Sequence, residues 1–520
     1  MSTVTSGSFR QSDKRKGTGT YTLPAGKGME TEPLLVNDGS PLAGERKHGY
    51  QSISLVAPDS DPLRSARPVL QGGPGSKGDG LGKTMDREVT LVCLAAGWVM
   101  FLEGINGMAG LAISYFFKNT LHVEPATLSS ISSITALPWT CKPLYGFISD
   151  GFPLFGYRRK PYLFIAGIFG SVSWFLMAKY VTTVVTAAVC MTIGSAAIAV
   201  ANVIAEALVV ERSRGESQEY ASRLQSIIYA GQAVGGILAA WAGGYLLTFM
   251  SDQQVFLLVA SFPLSLIVIA AIVPEQRFYG DHLAERSKIG ERLRALWDAF
   301  KRPEIWRPCA FIFFLNATPA TGATWFYFYT DVLKFSSSFL GTIGVVGSCC
   351  TLLGVFVFDL TLKKAAFRPV FLWSTLISTA LGLTQLLLVF RWNEALGIPD
   401  AVFCLGESAV LSIIGWICTM PVLVLAARLC PEGMEGTMYA LIMSINNLGG
   451  IVGSQLGAIL TTWLGVTEQN LDNFWLLVLL CNLSTVVPLV FIGFVPEVDP
   501  GADKEKDKQN PEEEYASGPV

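Results

Sequence analysis

Two carboxylates lie deep inside runs of sequence that are otherwise apolar: Glu103 in the stretch 89–117 and Glu206 in the stretch 184–210. In helical geometry each shares a face with an amide, because Asn106 follows Glu103 by three residues and Asn202 precedes Glu206 by four. An ionisable group at the centre of a bilayer costs about 2.5–3.5 kcal/mol on insertion scales, so each acid requires a partner or a water-filled cavity. Two kinds of chemistry suit such a group. A carboxyl in a low-dielectric site can load and release protons, and its two oxygens can accept adjacent N–H donors from the edge of a flat heterocycle. The plainer role is that of an ion-pair partner in helix packing; the two faces are read here as lining one cavity.

Other polar groups are placed to serve the same cavity. Lys142 lies three residues after Trp139 and eight before Asp150, where it either attracts an anionic ligand tail or snorkels to pair with a nearby acid. Arg223, followed by Gln225, Tyr229 and Gln232, is a second candidate for gripping a carboxylate with two parallel hydrogen bonds. The run Asn316-Ala317-Thr318-Pro319 puts a proline inside an apolar stretch, which is tolerated where a helix bends beside a cavity. The aromatics that follow, Trp325 to Tyr329, either stack on a flat ligand or form an interfacial belt. Glu407 is left without a role.

The three histidines, His48, His122 and His282, fall in tails or loops, so proton movement within the apolar part rests on carboxylates. The ten cysteines show no metal-ligand spacing and read as packing residues. No nucleophile–base set or phosphate loop is present, so an enzyme, a metal and a cofactor are not expected, nor is nucleic acid a partner.

The elements that must position these residues are membrane spans. The chain of 520 residues is 51% hydrophobic and 15% charged, and its charges gather at the ends and in a few loops. That excludes an ordinary soluble domain. Runs of about 20 apolar residues, the length that crosses a hydrocarbon core, recur near 89–117, 126–149, 161–180, 184–210, 221–248 and 253–273, and again near 307–332, 337–362, 367–390, 401–428, 434–463 and 471–495. Twelve spans in an all-α membrane protein are therefore expected, six on each side of a linker at 274–306. Lys and Arg concentrate in alternate connections, so the positive-inside rule places both termini and the linker in the cytosol.

Residues 1–86 and 497–520 lack a sustained apolar period and read as disordered cytosolic tails. Within the first, Glu30-Thr-Glu-Pro-Leu34-Leu35 is similar to an acidic dileucine sorting signal and Tyr50-Gln-Ser-Ile53 to a tyrosine-based one. The first 29 residues alternatively read as an organelle transit peptide. In the linker, Ile289, Leu293, Leu296, Trp297 and Phe300 fall at helical spacing, which predicts an amphipathic helix on the membrane surface. The two halves repeat. Gly231-Gln232-Ala-Val-Gly235-Gly236-Ile237 matches Ile445-Asn446-Asn-Leu-Gly449-Gly450-Ile451, and small residues every fourth position make a smooth strip for close helix approach.

The loop Gly146-x-x-x-Asp150 followed by Gly156-x-Arg158-Arg159-Lys160 resembles the signature between the second and third spans of the major facilitator superfamily, with a weaker echo around Asp359, Lys363, Lys364 and Arg368. A narrower resemblance is carried by Lys142-Pro-Leu-Tyr-Gly-Phe-Ile-Ser-Asp150, Val210-Glu211-Arg212-Ser-Arg214-Gly215-Glu216-Ser217-Gln218, Ala317-Thr318-Pro319 before Trp325, and Met420-Pro421 through Arg428 to Glu435. These blocks are similar to the folate–biopterin transporter family over roughly residues 88–496.

The resemblance implies a multi-pass carrier of folates or pterins, proton-coupled in at least some members, with two pseudo-symmetric six-helix halves and a central site. Members commonly have aspartates in the fourth span where this chain has Asn202 and Glu206. The loop residues Asp150, Arg158, Arg159, Glu211, Arg212 and Arg214, with Arg428, are read as ion-pair locks across the cytosolic helix ends, or more simply as basic loops that fix topology. A monomer in an endosomal, lysosomal, vacuolar or plasma membrane is expected, served by sorting adaptors, with a plastid envelope as the alternative. Carriage of another organic anion or an amino acid, and a transport-dead receptor, are the rival functions.

Overall fold

The computed structural model describes residues 81–213, 218–277, 282–362, 365–430 and 435–497. The two proposed sorting signals, Arg214, Lys363 and Lys364 lie outside the described residues, as do the side chains of Arg212, Arg223 and Gln225. Nearly everything described is helix. This is what a chain must do where no water can satisfy its backbone.

The amino-terminal half opens with α1 (Leu81–Asn106) and α2 (Ala109–Tyr115), which runs into a π turn at Phe116–Thr120. Next come α3 (Pro125–Thr135), a 3-10 turn at Leu137–Cys141 and α4 (Lys142–Gly151); Pro138 and Pro143, which lack an N–H to donate, sit in this interruption. The half is completed by α5 (Lys160–Lys179), α6 (Val184–Ser213), α7 (Gln218–Leu246) and α8 (Asp252–Ile272).

The linker carries α9 (His282–Phe300). It turns Leu296 and Ala299 into the apolar cluster of the carboxyl-terminal half and leaves Leu293 and Trp297 exposed. The carboxyl-terminal half comprises α10 (Pro303–Asn316), α11 (Thr324–Tyr327) with a π turn at Phe328–Val332, α12 (Ser337–Thr361), α13 (Phe367–Gly382), α14 (Gln385–Val389), α15 (Trp392–Ala395), α16 (Asp400–Arg428), α17 (Glu435–Trp463) and α18 (Phe474–Ser484).

The two halves share a construction. In each, the first span breaks immediately after an asparagine, Asn106 or Asn316, and resumes to end in a π turn. In each, the fifth span lays its glycines against that broken span. A Cβ on Gly235 of α7 would stand 2.4 Å from the Phe101 carbonyl oxygen of α1, and one on Gly453 of α17 would stand 2.5 Å from that of Thr318. A Cβ cannot stand that close to an oxygen, so only glycine lets these backbones approach as they do. The internal repeat is therefore a repeat of helix seams.

Eight helical runs among the described residues are long and apolar enough to cross a membrane by length and composition. The expected spans outside that number are 2, 5, 7 and 11. They correspond to α3–α4, α7, α10–α11 and α17, and they fall short for a physical reason: they carry the proline breaks and the serines, asparagines and glutamines that face inward. Large apolar side chains such as Val185, Trp241, Val268, Phe356 and Trp463 are exposed on the outside, as befits a surface whose solvent is lipid.

Candidate functional site

Glu103 lies on α1, and its carboxylate accepts hydrogen bonds from Asn202 Nδ2 of α6 at 2.6 Å and from Gln232 Nε2 of α7 at 2.7 Å. The amide that shares a face with Glu206 in helical spacing bonds the other acid. Asn202, 2% exposed, reaches across to Glu103 and not along α6 to Glu206, while Asn106 ends α1 at its break. A side chain's direction on a helix follows its packing as well as its spacing, and Glu103 gains two donors from two neighbouring spans.

Glu206 is served differently. Lys142 Nζ of α4 stands 3.5 Å from its Oε1 and 5.1 Å from the centre of the Trp139 ring. Of the two readings given for Lys142, pairing with an acid is the one observed. Tyr229 of α7 and Tyr439 of α17, from opposite halves, both lie within electrostatic range of Glu206.

Trp139 also lines a cavity of about 640 Å³ between the halves. Ser129, Ser132 and Ser133 of α3 face it from one half; Asn316 of α10 with Asn446 and Asn447 of α17 face it from the other. Its walls offer hydroxyls, carboxamides and an indole and no charged side chain. The amides are arranged in order: Asn316 Nδ2 donates to Asn446 Oδ1 at 2.9 Å, and Asn447 Nδ2 reaches the Trp139 carbonyl at 3.5 Å. Asn446 occupies in the repeat the place of Gln232, so a fifth-span amide meets the first span of its own half on both sides. A neutral lining of this size offers hydrogen-bond donors and acceptors and one aromatic face to a small polar molecule.

On the side away from the linker the halves are tied together. Buried Lys118 bonds Asp331 and, at 2.6 Å, Thr330 Oγ1. Tyr327 inserts into the amino-terminal core and donates its hydroxyl to the Val123 carbonyl. Gln455 Nε2 donates to Ser130 O at 3.0 Å and Ser133 Oγ at 2.7 Å, and the Ala323 amide donates to Ser129 Oγ at 2.8 Å. None of these ties was expected from the sequence, where Lys118 simply follows the apolar stretch 89–117.

On the linker side the charged loop works within one half. Arg159, 4% exposed, holds Ser149 Oγ at 2.6 Å, Asp150 at 2.7 Å and Glu211. Burial opposes its charge, but the adjacent Glu211 and Asp150 more than offset this and hold the guanidinium above its ordinary range. Glu275, just after α8, accepts from the amides of Arg158, Arg159 and Lys160 at 2.6, 2.8 and 2.9 Å. A carboxylate on the free amides of a helix start is favourable. The bonds of Arg159 to Asp150 and Glu211, and those of the Arg158, Arg159 and Lys160 amides to Glu275, join spans of the amino-terminal half. Arg428 is exposed, with its guanidinium 5.4 Å from the Phe367 ring centre in its own half.

Trp325 packs on Phe474, ring centres 4.8 Å apart, in an aromatic cluster with Phe328 and Tyr329 and is not among the residues lining the cavity. Neither Glu103 nor Glu206 is among the residues lining the cavity; Glu206 is linked to its wall through Lys142, which stands over Trp139.

The helical architecture is that of the major facilitator transporters. The chain superposes on the nucleoside transporter NupG with a TM-score of 0.58 at 17% identity, covering 78% of this chain and 98% of that one. On the D-xylose-proton symporter the TM-score is 0.56 at 14% identity, with 80% and 99% covered. Within that class the sequence is more specific. A profile of the BT1 family matches residues 103–515, and the chain belongs to that family. It is 41% identical over 435 residues to the folate-biopterin transporter of Synechocystis, covering 82% of this chain and 88% of that protein. It is 30% identical to folate transporter 1 of Plasmodium falciparum, with 78% and 79% covered. The protein is thus a multi-pass integral membrane protein of a transporter family.

Proposed function

We propose that this protein carries folates or pterins across a membrane by alternating access, with proton movement coupled through Glu206 and Glu103. The observation that carries the reading is the cavity between the halves, walled by serines, asparagines and Trp139, with the Lys142–Glu206 pair reaching it at Trp139 and Glu103 held separately by Asn202 and Gln232. The names of the Synechocystis and Plasmodium relatives support the substrate class. A pterin ring is flat and bears donors and acceptors around its edge, which suits carboxamides and hydroxyls in a dry site better than it suits bulk apolar walls. An anionic tail would be met by the ammonium of Lys142, drawn away from Glu206.

In this reading the ties of Lys118, Tyr327 and Gln455 hold the far side shut while the cavity communicates with the linker side. Rocking the halves breaks those ties and opens the other route. Protonation of Glu206 would release Lys142, linking proton uptake to the charge available for substrate. Cytosolic termini, and delivery to an endosomal, lysosomal or vacuolar membrane by adaptors that read the dileucine segment, belong to the same proposal.

Flux into proteoliposomes tests it. Labelled folate and biopterin should accumulate in response to a pH gradient, whereas unrelated organic anions and amino acids should not. Binding of folate with no flux under any gradient would replace a carrier by a receptor.

A further inference from the structure

A second cavity, of about 360 Å³, lies wholly in the carboxyl-terminal half and shares no lining residue with the central one. It is bounded by α13 and α14 on one side and α16 on the other, with Leu381, Leu387, Val402, Phe403 and Val410 among its walls. Val402 and Val410 are 59% and 42% exposed, so this wall borders the surface that faces lipid. The lining is apolar apart from Thr384 and a single ionisable group, Glu407.

Glu407 is unusual for a carboxylate in a span. Its polar neighbour is Gln385 of α14, whose Oε1 accepts from Asn482 Nδ2 of α18 at 3.4 Å. The Oε2 atom is buried and has no hydrogen-bond partner. Among the described residues no cation pairs with Glu407. The contrast is Asp400, two turns earlier on α16, which Arg391 and Asn393 both hold at 2.8 Å. A carboxylate in an apolar setting is expensive unless a counter-charge arrives or a proton is taken up.

We propose that this cavity binds a hydrophobic monocation, a protonated amine on an apolar body that enters from the bilayer, with Glu407 as its counter-charge. One carboxylate matches one ammonium, and the apolar walls match an aliphatic or aromatic body. A dication or a polar body would bury groups with no partner. The volume is at the small end of the range of about 300–1,000 Å³ found for small-molecule sites. This site is independent of the transport reading.

The probe is 1-aminoadamantane, set against 1-adamantanol, which has a similar body and no charge. Binding of each to the full chain in lipid nanodiscs is measured by calorimetry at neutral pH, with empty discs subtracted. The amine should bind at least tenfold more tightly than the alcohol, and Glu407→Gln should erase that difference. Gly406→Phe should abolish amine binding: Gly406 lines the cavity, and a Cβ there meets no atom within 4 Å, so the ring enters without moving the backbone. Equal binding of the two compounds, or amine binding that survives either substitution, overturns the proposal. Loss of amine binding in Asn447→Ala would place the probe in the central cavity and overturn it too. Should Glu407→Gln fail to fold, the amine–alcohol comparison and Gly406→Phe decide the matter.

Discussion

Lys118 and Asp331, 213 positions apart in the chain, pair with each other from corresponding places in the two halves. Each sits in the π turn that ends the first span of its half. π turns recur at functional positions because the extra residue per turn redirects a side chain, and here the redirected side chains meet between the halves. Lys118 also stands 5.1 Å from the centre of the Tyr327 ring, which strengthens its hold.

Lys118→Ala should therefore open the far side. Breaking a buried pair costs about 3–5 kcal/mol, and the 29% exposure of Asp331 puts this one at or below the lower end. The expected result is faster labelling by an impermeant thiol reagent of a cysteine placed at Ser132, with uptake reduced. The exchange Lys118→Asp with Asp331→Lys should recover part of both. Unchanged labelling in Lys118→Ala would mean that the pair does not hold the halves together.

Glu206→Gln should abolish accumulation driven by a proton gradient while leaving the protein folded in the membrane, because glutamine keeps the volume and one acceptor oxygen but cannot take up and release a proton. Exchange without a gradient separates two roles. If Glu206 only couples protons, exchange persists; if it also grips the substrate ring, exchange fails as well. Wild-type accumulation at every pH would move coupling to Glu103.

Gly235→Ala and Gly236→Ala are neighbours with opposite expectations. The first puts a Cβ 2.4 Å from Phe101 O and must push α1 and α7 apart, whereas the second meets nothing within 4 Å. The first should lower the melting temperature in detergent by many degrees or prevent folding. The second should be close to neutral, within about 0.5 kcal/mol. Equal effects would mean that the seam is looser than described.

Replacing Leu34 and Leu35 by alanine should shift the protein to the cell surface, seen by microscopy of a tagged chain, with transport unimpaired. Unchanged localisation in the double variant would remove the dileucine signal and favour the transit-peptide reading of the first 29 residues.

The fold was largely legible in the sequence because bilayer crossing imposes long apolar runs and because the repeat around Gln232 and Asn446 survives as spacing. Glu103, Asn202, Glu206, Lys142 and Gln232 were also visible, as polar residues in places where polarity is costly. Their partners were not. Asn202 sits one turn from Glu206 in sequence yet bonds Glu103 on another helix, a choice made by tertiary packing. Lys118 and Asp331 lie near span ends, where isolated charges are common, and nothing local marks them as a pair. Glu275 carries no sequence signal because its three donors are backbone amides, which leave no trace in residue identity.

The glycine seams bear on how such a machine can move at all. Where α7 meets α1, and α17 meets the α10 span, backbone lies against backbone at the glycines, so one helix cannot slip past the other there by re-sorting rotamers alone. Each pair is a single stiff bar. Glu103 and Gln232 straddle one bar, and Asn316 and Asn446 straddle the other, so under the proposed rocking these bonds would move with their bars. Under the proposed rocking, what must reorganise lies between the bars: the polar ties of Lys118, Tyr327 and Gln455, and the close approach of α7 to α12 at Gly244 and Gly341.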